Sequence, residues 1–169
     1  MRQVEVMGVR VEMPTNKPIV ILREADGGRC VPIWIGAPEA AAIAHVMEGV
    51  EPPRPLTHDL LLTVMETLGG RLSHVDIVSM TEGVFYAELV LANGARIDAR
   101  SSDAIALALR AGCAVYVDDS ILEEIGITMD VEEDEVERFR EFLDNVSAED
   151  FEDAEGGTEE TGGTTGETP

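Results

Sequence analysis

Lysine is almost missing from this chain of 169 residues, which has one lysine beside eleven arginines. The formal net charge of −22 also excludes the broad basic surface on which proteins that bind nucleic acid commonly depend. Local arginine clusters, such as Arg54 with Arg100 or Arg71, are therefore the places where this sequence could attract a phosphate. We expect any affinity for a nucleic acid polymer to be weak.

Cysteine is equally scarce, since Cys30 and Cys113 are the two in the chain. Each lies in an apolar context, which predicts reduced, buried thiols rather than a disulfide framework or a metal knuckle. No apolar run approaches the roughly 18 residues of a membrane span, and no secretory signal begins the chain, so we expect a cytoplasmic protein without a membrane partner. The motifs HExxH, GxxxxGK[ST], GxSxG and CxxC are absent, and we expect no organic cofactor.

The acidic excess is concentrated near the end of the chain. Eighteen acidic and ten basic residues lie between Met1 and Met129, whereas the remaining residues include sixteen acidic and two basic ones. We interpret residues 1–128 as one domain. Residues 129–146 carry Val136, Phe139 and Leu143 at helical spacing and predict a short acidic amphipathic helix, which either docks on the domain or binds a partner protein. Residues 147–169 are rich in Gly, Thr and Glu and predict a disordered acidic tail.

Alternating and periodic segments predict an α+β fold for residues 1–128. Three strand patterns, "VEVMGVRVEM", "IVILRE" and "CVPIWIG", are followed by two helical patterns, "APEAAAIAHVMEG" and "HDLLLTVMETLGG", and then by a second set of three strands. In the second helix, Leu61, Val64 and Leu68 recur at helical spacing. The expected architecture is a mixed, largely antiparallel sheet of two meanders with helices packed on it, including one compact βαβ unit near the end of the domain.

The stretch "DARSSDAIALALRAGC", from Asp98 to Cys113, places charges directly before a nearly apolar helix. Ser101 or Ser102 can cap that helix, and Asp103 suits the positive end of the helix dipole. Residues 104–111 are apolar on most sides, which predicts either a central place in the core or a subunit interface.

Two short patterns suggest chemistry, and each also has a purely structural explanation. Strand alternation puts Asp98 and Arg100 on one face, either as solvated ion pairs or beside a pocket in which carboxylates hold a divalent metal and Arg100 holds a phosphate. Among the three histidines, we single out His58, because it precedes Asp59 at a helix start. That pair reflects either ordinary first-turn electrostatics or a site that orients water or binds a metal.

The blocks "PIWIGAPEAAAIAHVMEGVEPPRPLTHDLL" and "DARSSDAIALALRAG" resemble the bifunctional nuclease domain of bacteria and plants. The resemblance covers roughly residues 4–127, and it departs from the family at Ser101, where proline is usual. It implies an α+β fold, a homodimer, and nuclease activity on DNA and RNA.

By motif, the resemblance points to His58 and Asp59 in the first block and to Asp98, Arg100, Ser102 and Asp103 in the second. Our hypothesis is a metal-assisted nuclease with three groups of residues. The catalytic group is His58, Asp59, Asp103 and Arg100; the substrate-binding group is Arg54, Arg100 and Ser102; the ligands of Mg²⁺ or Mn²⁺ are Asp59, Asp98 and Asp103. The alternative is a non-catalytic dimeric module for regulation or ligand binding, whose acidic tail recruits a partner protein.

Overall fold

A computed structural model of the chain describes residues 1–128. The helix predicted over 129–146 and the tail predicted over 147–169 lie outside the described residues. The elements follow in the order β1 (Arg2–Glu12), β2 (Lys17–Glu24), β3 (Arg29–Trp34), α1 (Ala37–Met47), α2 (Thr57–Thr67), β4 (Leu72–Thr81), β5 (Val84–Leu91), β6 (Arg96–Arg100), α3 (Ser101–Ala111), β7 (Ala114–Val117), α4 (Asp119–Ile125) and β8 (Ile127–Thr128).

The strands of residues 1–128 form one sheet in the order β6-β5-β4-β7-β1-β2-β3-β8. Strands β1 to β3 make one antiparallel meander and strands β4 to β6 make the other. Strand β7 joins the two meanders, because it pairs in parallel with β4 and antiparallel with β1. The predicted α+β fold, with a mixed and largely antiparallel sheet, is confirmed.

The predicted βαβ unit is confirmed as β6-α3-β7, although its two strands are not neighbours. Strands β5 and β4 lie between them in the sheet, and the alternation of direction makes β6 and β7 run the same way. A connection between such strands must cross the sheet, which is the role of α3. This crossover brings the first turn of α3 to the end of the edge strand β6.

Helix α3 occupies the centre of the core. Ala104, Ile105, Ala106, Leu107 and Ala108 are each exposed by 1% or less, and they pack with inward residues of β4, β5 and β7. Of the two roles predicted for residues 104–111, the place in the core explains their apolar character within a single chain. The subunit-interface explanation is not needed for this helix.

The capping prediction for the same helix is wrong. The N-cap position is Arg100, whose backbone is extended, and no side chain caps the helix. Ser101 and Ser102 lie inside the first turn and are each 7% exposed. Two small hydroxyl side chains fit here because the strand runs directly into the helix, without the intervening loop that a serine cap normally ends.

Helix α2 forms as predicted, but its apolar stripe faces outward. No residue of α2 is buried. The exposed fraction is 42% for Leu61, 43% for Val64 and 82% for Leu68. Leu62 and Met65, on another side of the helix, are half-buried against the core. The helix therefore has two apolar sides, one of which has no partner within residues 1–128.

The thiols agree with their prediction as free groups. Cys30 is buried and Cys113 is half-buried, and neither forms a disulfide. Burial raises the pKa of the Cys113 thiol, which disfavours the reactive thiolate. Among residues 1–128, no helix combines the length and the apolar character needed to cross a membrane.

Candidate active site

A pocket of about 590 Å³ opens where three helices begin. Helix α1 contributes its first turn and one side, α2 contributes its first turn and the loop before it, and the junction of β6 and α3 closes the pocket. The lining residues are Pro38, Glu39, Ala41, Ala42, His45, Pro55, Leu56, Thr57, His58, Arg100 and Asp103. The amino end of a helix carries a partial positive charge, so the three first turns that line this pocket contribute a field that favours an anion.

Four polar side chains of the pocket form one connected chain, here called the pocket cluster: Glu39, Arg100, Asp103 and His58. The Nη2 of Arg100 donates to Oε1 of Glu39 at 3.0 Å, and its Nε donates to Oδ2 of Asp103 at 2.7 Å. The other carboxylate oxygen of Asp103 lies 3.0 Å from Nε2 of His58. The cluster therefore joins a general-base candidate to a guanidinium through one shared carboxylate.

The fold places each member of this cluster at the start of an element. Glu39 lies in the first turn of α1, His58 in the first turn of α2 and Asp103 in the first turn of α3, while Arg100 ends β6. Side chains near a helix start are held by a short, rigid stretch of backbone. Two residues of the predicted catalytic group, His58 and Asp103, are 45 positions apart in sequence and are brought into direct contact.

The cluster keeps Asp103 ionised. Partial burial alone would raise the pKa of Asp103, but hydrogen bonds from Arg100 and His58 outweigh this effect and lower the pKa. The same carboxylates raise the pKa of Arg100, with the bond to Asp103 as the larger cause and the bond to Glu39 next. An ionised carboxylate can only accept a hydrogen bond, so the His58 tautomer that fits this contact is the one with its proton on Nε2.

Comparison with known proteins identifies the family to which this pocket-bearing domain belongs. The sequence model of the bifunctional nuclease domain matches residues 20–130, which include the whole pocket. The chain belongs to the bifunctional nuclease domain family. Two uncharacterized proteins of Mycobacterium tuberculosis, one from strain CDC 1551 and one from strain H37Rv, are each 50% identical to it over 161 residues, covering 89% of this chain and 98% of each relative.

In this bifunctional nuclease domain, Asp59 is not part of the pocket wall. Its carboxylate accepts from the backbone N–H of Leu56 at 2.8 Å and from Nε of Arg110 at 2.8 Å. Burial tends to raise the pKa of Asp59, but these two hydrogen bonds dominate together and lower it. The position predicted to be catalytic thus ties the start of α2 to the end of α3, and His58 beside it points into the pocket.

The three carboxylates predicted as metal ligands do not meet. Asp98 lies in mid-strand opposite Glu88 of β5, Asp59 bonds Arg110, and Asp103 bonds His58 and Arg100. Within residues 1–128, no three side chains of His, Cys, Asp or Glu are arranged to hold one metal ion together. The donors named from the sequence therefore do not fit a shared Mg²⁺ or Mn²⁺ site built by this domain.

Of the three residues predicted to bind substrate, one lines the pocket and two do not. Arg100 lines the pocket, and its side chain is 67% exposed. Arg54 is exposed in the loop before Pro55, but it is not part of the pocket wall. Ser102 is buried, because the first turn of α3 packs against the sheet, and it does not line the pocket either.

Sequence reasoning missed two residues of this bifunctional nuclease domain, Glu39 and His45. His45 lines the same pocket as His58, although the sequence singled out His58 alone among the three histidines. Its spacing from Pro38, Ala41 and Ala42 places all four on one side of α1. That shared side was the available signal, since a stripe of small residues ending in a histidine can line a cavity.

Proposed function

We propose that this domain is a nuclease that hydrolyses phosphodiester bonds of DNA and RNA, with His58 as its general base. The observation that carries the proposal is the hydrogen bond between His58 and Asp103 beside Arg100, inside a pocket formed by three helix starts. Membership of the bifunctional nuclease domain family supports the same class of reaction. Acid–base groups, a cation and positive helix ends each stabilise the transition state of phosphodiester hydrolysis.

His58 and Asp103 divide the work of activating water. The ionised carboxylate holds the imidazole by Nε2, which leaves Nδ1 to accept a proton from a water molecule. As that water oxygen bonds to phosphorus, its proton passes to His58, and the bond from phosphorus to the departing sugar oxygen breaks. The departing oxygen takes a proton from solvent, and His58 then returns its proton to solvent.

Arg100 and the helix starts oppose the charge that develops on the phosphate. A guanidinium has five N–H donors, and the two bonds to Glu39 and Asp103 leave the others for substrate oxygens. Because two carboxylates surround this one arginine, we expect weak ground-state binding of nucleic acid that tightens as charge accumulates in the transition state. This proposal uses protein groups alone, and Mg²⁺ or Mn²⁺ enters it as a condition to be tested.

The test uses labelled single-stranded and duplex DNA and RNA, each with Mg²⁺, with Mn²⁺ and with a chelator. We expect cleavage by the wild-type chain, and loss of cleavage in His58→Ala and Asp103→Asn. His74→Ala is the matched control, because His74 also contacts an aspartate but lies outside the pocket. No cleavage of any substrate by the wild type, or full cleavage by His58→Ala, would contradict the proposal.

A second candidate function, a dimeric binding module without catalysis, is favoured by the outer side of α2. Leu60, Val64 and Leu68 form a ridge at intervals of four residues, and their neighbours Leu56 and Leu61 are also 38% or more exposed. Exposed apolar side chains grouped on one side of a helix are typical of an interaction surface. We propose a second copy of the chain as its occupant, because ridges four residues apart pack against the same ridges of an identical helix across a two-fold axis.

Charge argues against the chain's own acidic end as that occupant. The charged residues of α2 are Asp59 and Glu66, so an acidic segment would meet like charges beside the ridge. We expect light scattering to report a dimer at micromolar concentration and a monomer for Leu60→Glu with Leu68→Glu. Val84→Glu is the control, because Val84 is an exposed apolar residue outside α2. This variant should remain a dimer. A wild-type chain that is monomeric at these concentrations would contradict the proposed dimer.

A further inference from the structure

The pocket lining has two chemically different parts, and the pocket cluster is one of them. The second part is the side of α1 that carries Ala41, Ala42 and His45, here called the α1 wall; Pro55 and Leu56 line the same pocket. No step of the reaction proposed above uses the α1 wall.

Along the axis of α1, His45 of this wall is separated from Glu39 of the pocket cluster. His45 follows Glu39 by six residues on α1, which corresponds to about 9 Å along a helix. Small side chains at Ala41 and Ala42 keep the intervening space open. The pocket volume of about 590 Å³ is in the size range of sites for single small ligands and is too small for a stacked duplex.

We infer that the pocket takes one unpaired nucleotide at a time, with its base on the α1 wall against His45 and its phosphate at Arg100. The phosphate half of this inference rests on the proposed nuclease function, whereas the base half rests on the α1 wall. It defines the substrate class as single-stranded DNA or RNA, including loops and frayed ends. A base held in a duplex must leave its stack before it can enter.

His45 suits a base because an imidazole ring offers a flat face for stacking. Stacking on such side chains tolerates any base, since every base has a π-face, and it contributes binding that does not depend on positive charge. This matters in a domain whose eighteen acidic residues outnumber its ten basic ones between Met1 and Met129. Contact with bases can partly replace the phosphate attraction that the domain lacks.

The closing experiment measures binding by fluorescence anisotropy, using the full chain and labelled phosphorothioate oligomers that resist cleavage. The probes are a 12-nucleotide thymidine oligomer, a 12-nucleotide uridine oligomer and the duplex of each with its complement. We expect both single strands to bind at least tenfold more tightly than the duplexes. His45→Ala should weaken single-strand binding by roughly tenfold, whereas His45→Phe, which keeps a flat ring, should bind within about threefold of the wild type.

Met47→Ala is the matched control, because Met47 lies on the same helix and outside the pocket; it should bind like the wild type. Duplex binding as tight as single-strand binding, or unchanged binding by His45→Ala, would overturn the inference. The cleavage assay on the same proteins separates this outcome from a failure of the nuclease function. Binding that depends on His45 without any cleavage contradicts the nuclease alone, while cleavage of duplex that ignores His45 contradicts the single-strand site alone.

Discussion

Two regions of this domain contain the same four types of side chain in the same arrangement. In the pocket cluster, Arg100 bridges Asp103 and Glu39, and His58 contacts Asp103. In a second group, here called the sheet cluster, Arg96 bridges Asp76 and Glu88, and His74 contacts Asp76: its members are His74, Asp76, Glu88 and Arg96. Residue types and ion pairs alone therefore do not define the site.

The surroundings separate the two clusters. The sheet cluster lies on the adjacent strands β4, β5 and β6, where Asp76 is in register with Glu88, and the side chain of Asp76 is 8% exposed. The imidazole of His74 is 3.5 Å from Asp76 and meets the ring of Tyr116 edge-on. None of its members lines the pocket or lies at a helix start. We therefore interpret the sheet cluster as structural and the pocket cluster as chemical.

The sharpest way to break this comparison is to remove each histidine in turn. If His58 is the general base, His58→Ala should lower kcat by roughly 10²- to 10⁴-fold, the usual contribution of such a group. His74→Ala should leave kcat within about threefold of the wild type. The measurement is the initial rate of cleavage of a single-stranded substrate. Equal losses in the two variants would remove the distinction between the clusters.

When stability is measured instead of the cleavage rate, the larger effect should come from the sheet cluster: replacing Asp76 should cost more unfolding free energy than replacing Asp103. Asp76 is almost fully buried, and its removal deprives Arg96 and His74 of a partner, so Asp76→Ala should lower the free energy of unfolding by about 2 kcal/mol. The side chain of Asp103 is 30% exposed, and Asp103→Ala should cost about half as much. Urea unfolding of both variants checks this. A larger loss of stability at Asp103 would indicate that the pocket cluster is the structural one.

The sequence predicts the strand and the helix that carry these residues, but it does not predict which of the two clusters lines the pocket. The sequence correctly placed a charged strand end directly before α3, and strand alternation put Asp98 and Arg100 on one face; the same period of two puts Arg96 there as well, so alternation does not separate the roles of the two arginines. Their difference depends on Glu39, which is 61 positions from Arg100 and reaches it through the packing of α1 on α3. Contacts between distant helix starts leave no periodic pattern. The shared side of Pro38 and His45 was the one local sign of the cavity.

Apolar periodicity likewise identified α2 and α3 as helices, but it left two roles open for α3. The alternatives for residues 104–111 could not be separated from the sequence, because a buried helix and an interface helix have the same composition. An exposed stripe has the same helical spacing as a stripe that faces the core, and Leu60, Val64 and Leu68 are such an exposed stripe. Which stripe meets the core is decided by the neighbouring helix, and half-buried Leu62 and Met65 take that place.

A smaller effect should come from changing each arginine to lysine. Arg100 bonds two carboxylates through different nitrogens, and a lysine ammonium cannot reproduce this fork or hold a phosphate in the same way. Arg100→Lys should therefore lower kcat by roughly tenfold. Arg96→Lys loses the same fork in the sheet cluster and should change kcat by less than about twofold. The rates are measured on one single-stranded substrate, and a matching loss for Arg96→Lys would count against the assignment.

The smallest expected effect is a change in acid stability that belongs to the pocket cluster. Because the folded pKa of Asp103 lies below its value in the unfolded chain, about 3.9, its ionisation stabilises the fold above that pH. This contribution disappears as the pH falls below about 4 and through the folded pKa. The difference in unfolding free energy between the wild type and Asp103→Asn should thus shrink between pH 6 and pH 3.

Arg100→Ala should flatten the pH dependence in the same direction, since the guanidinium is the leading cause that lowers this pKa. If thermal unfolding shows a constant difference down to pH 3, the bonds from Arg100 and His58 do not favour the ionised carboxylate, and the proton on Nε2 of His58 loses its explanation.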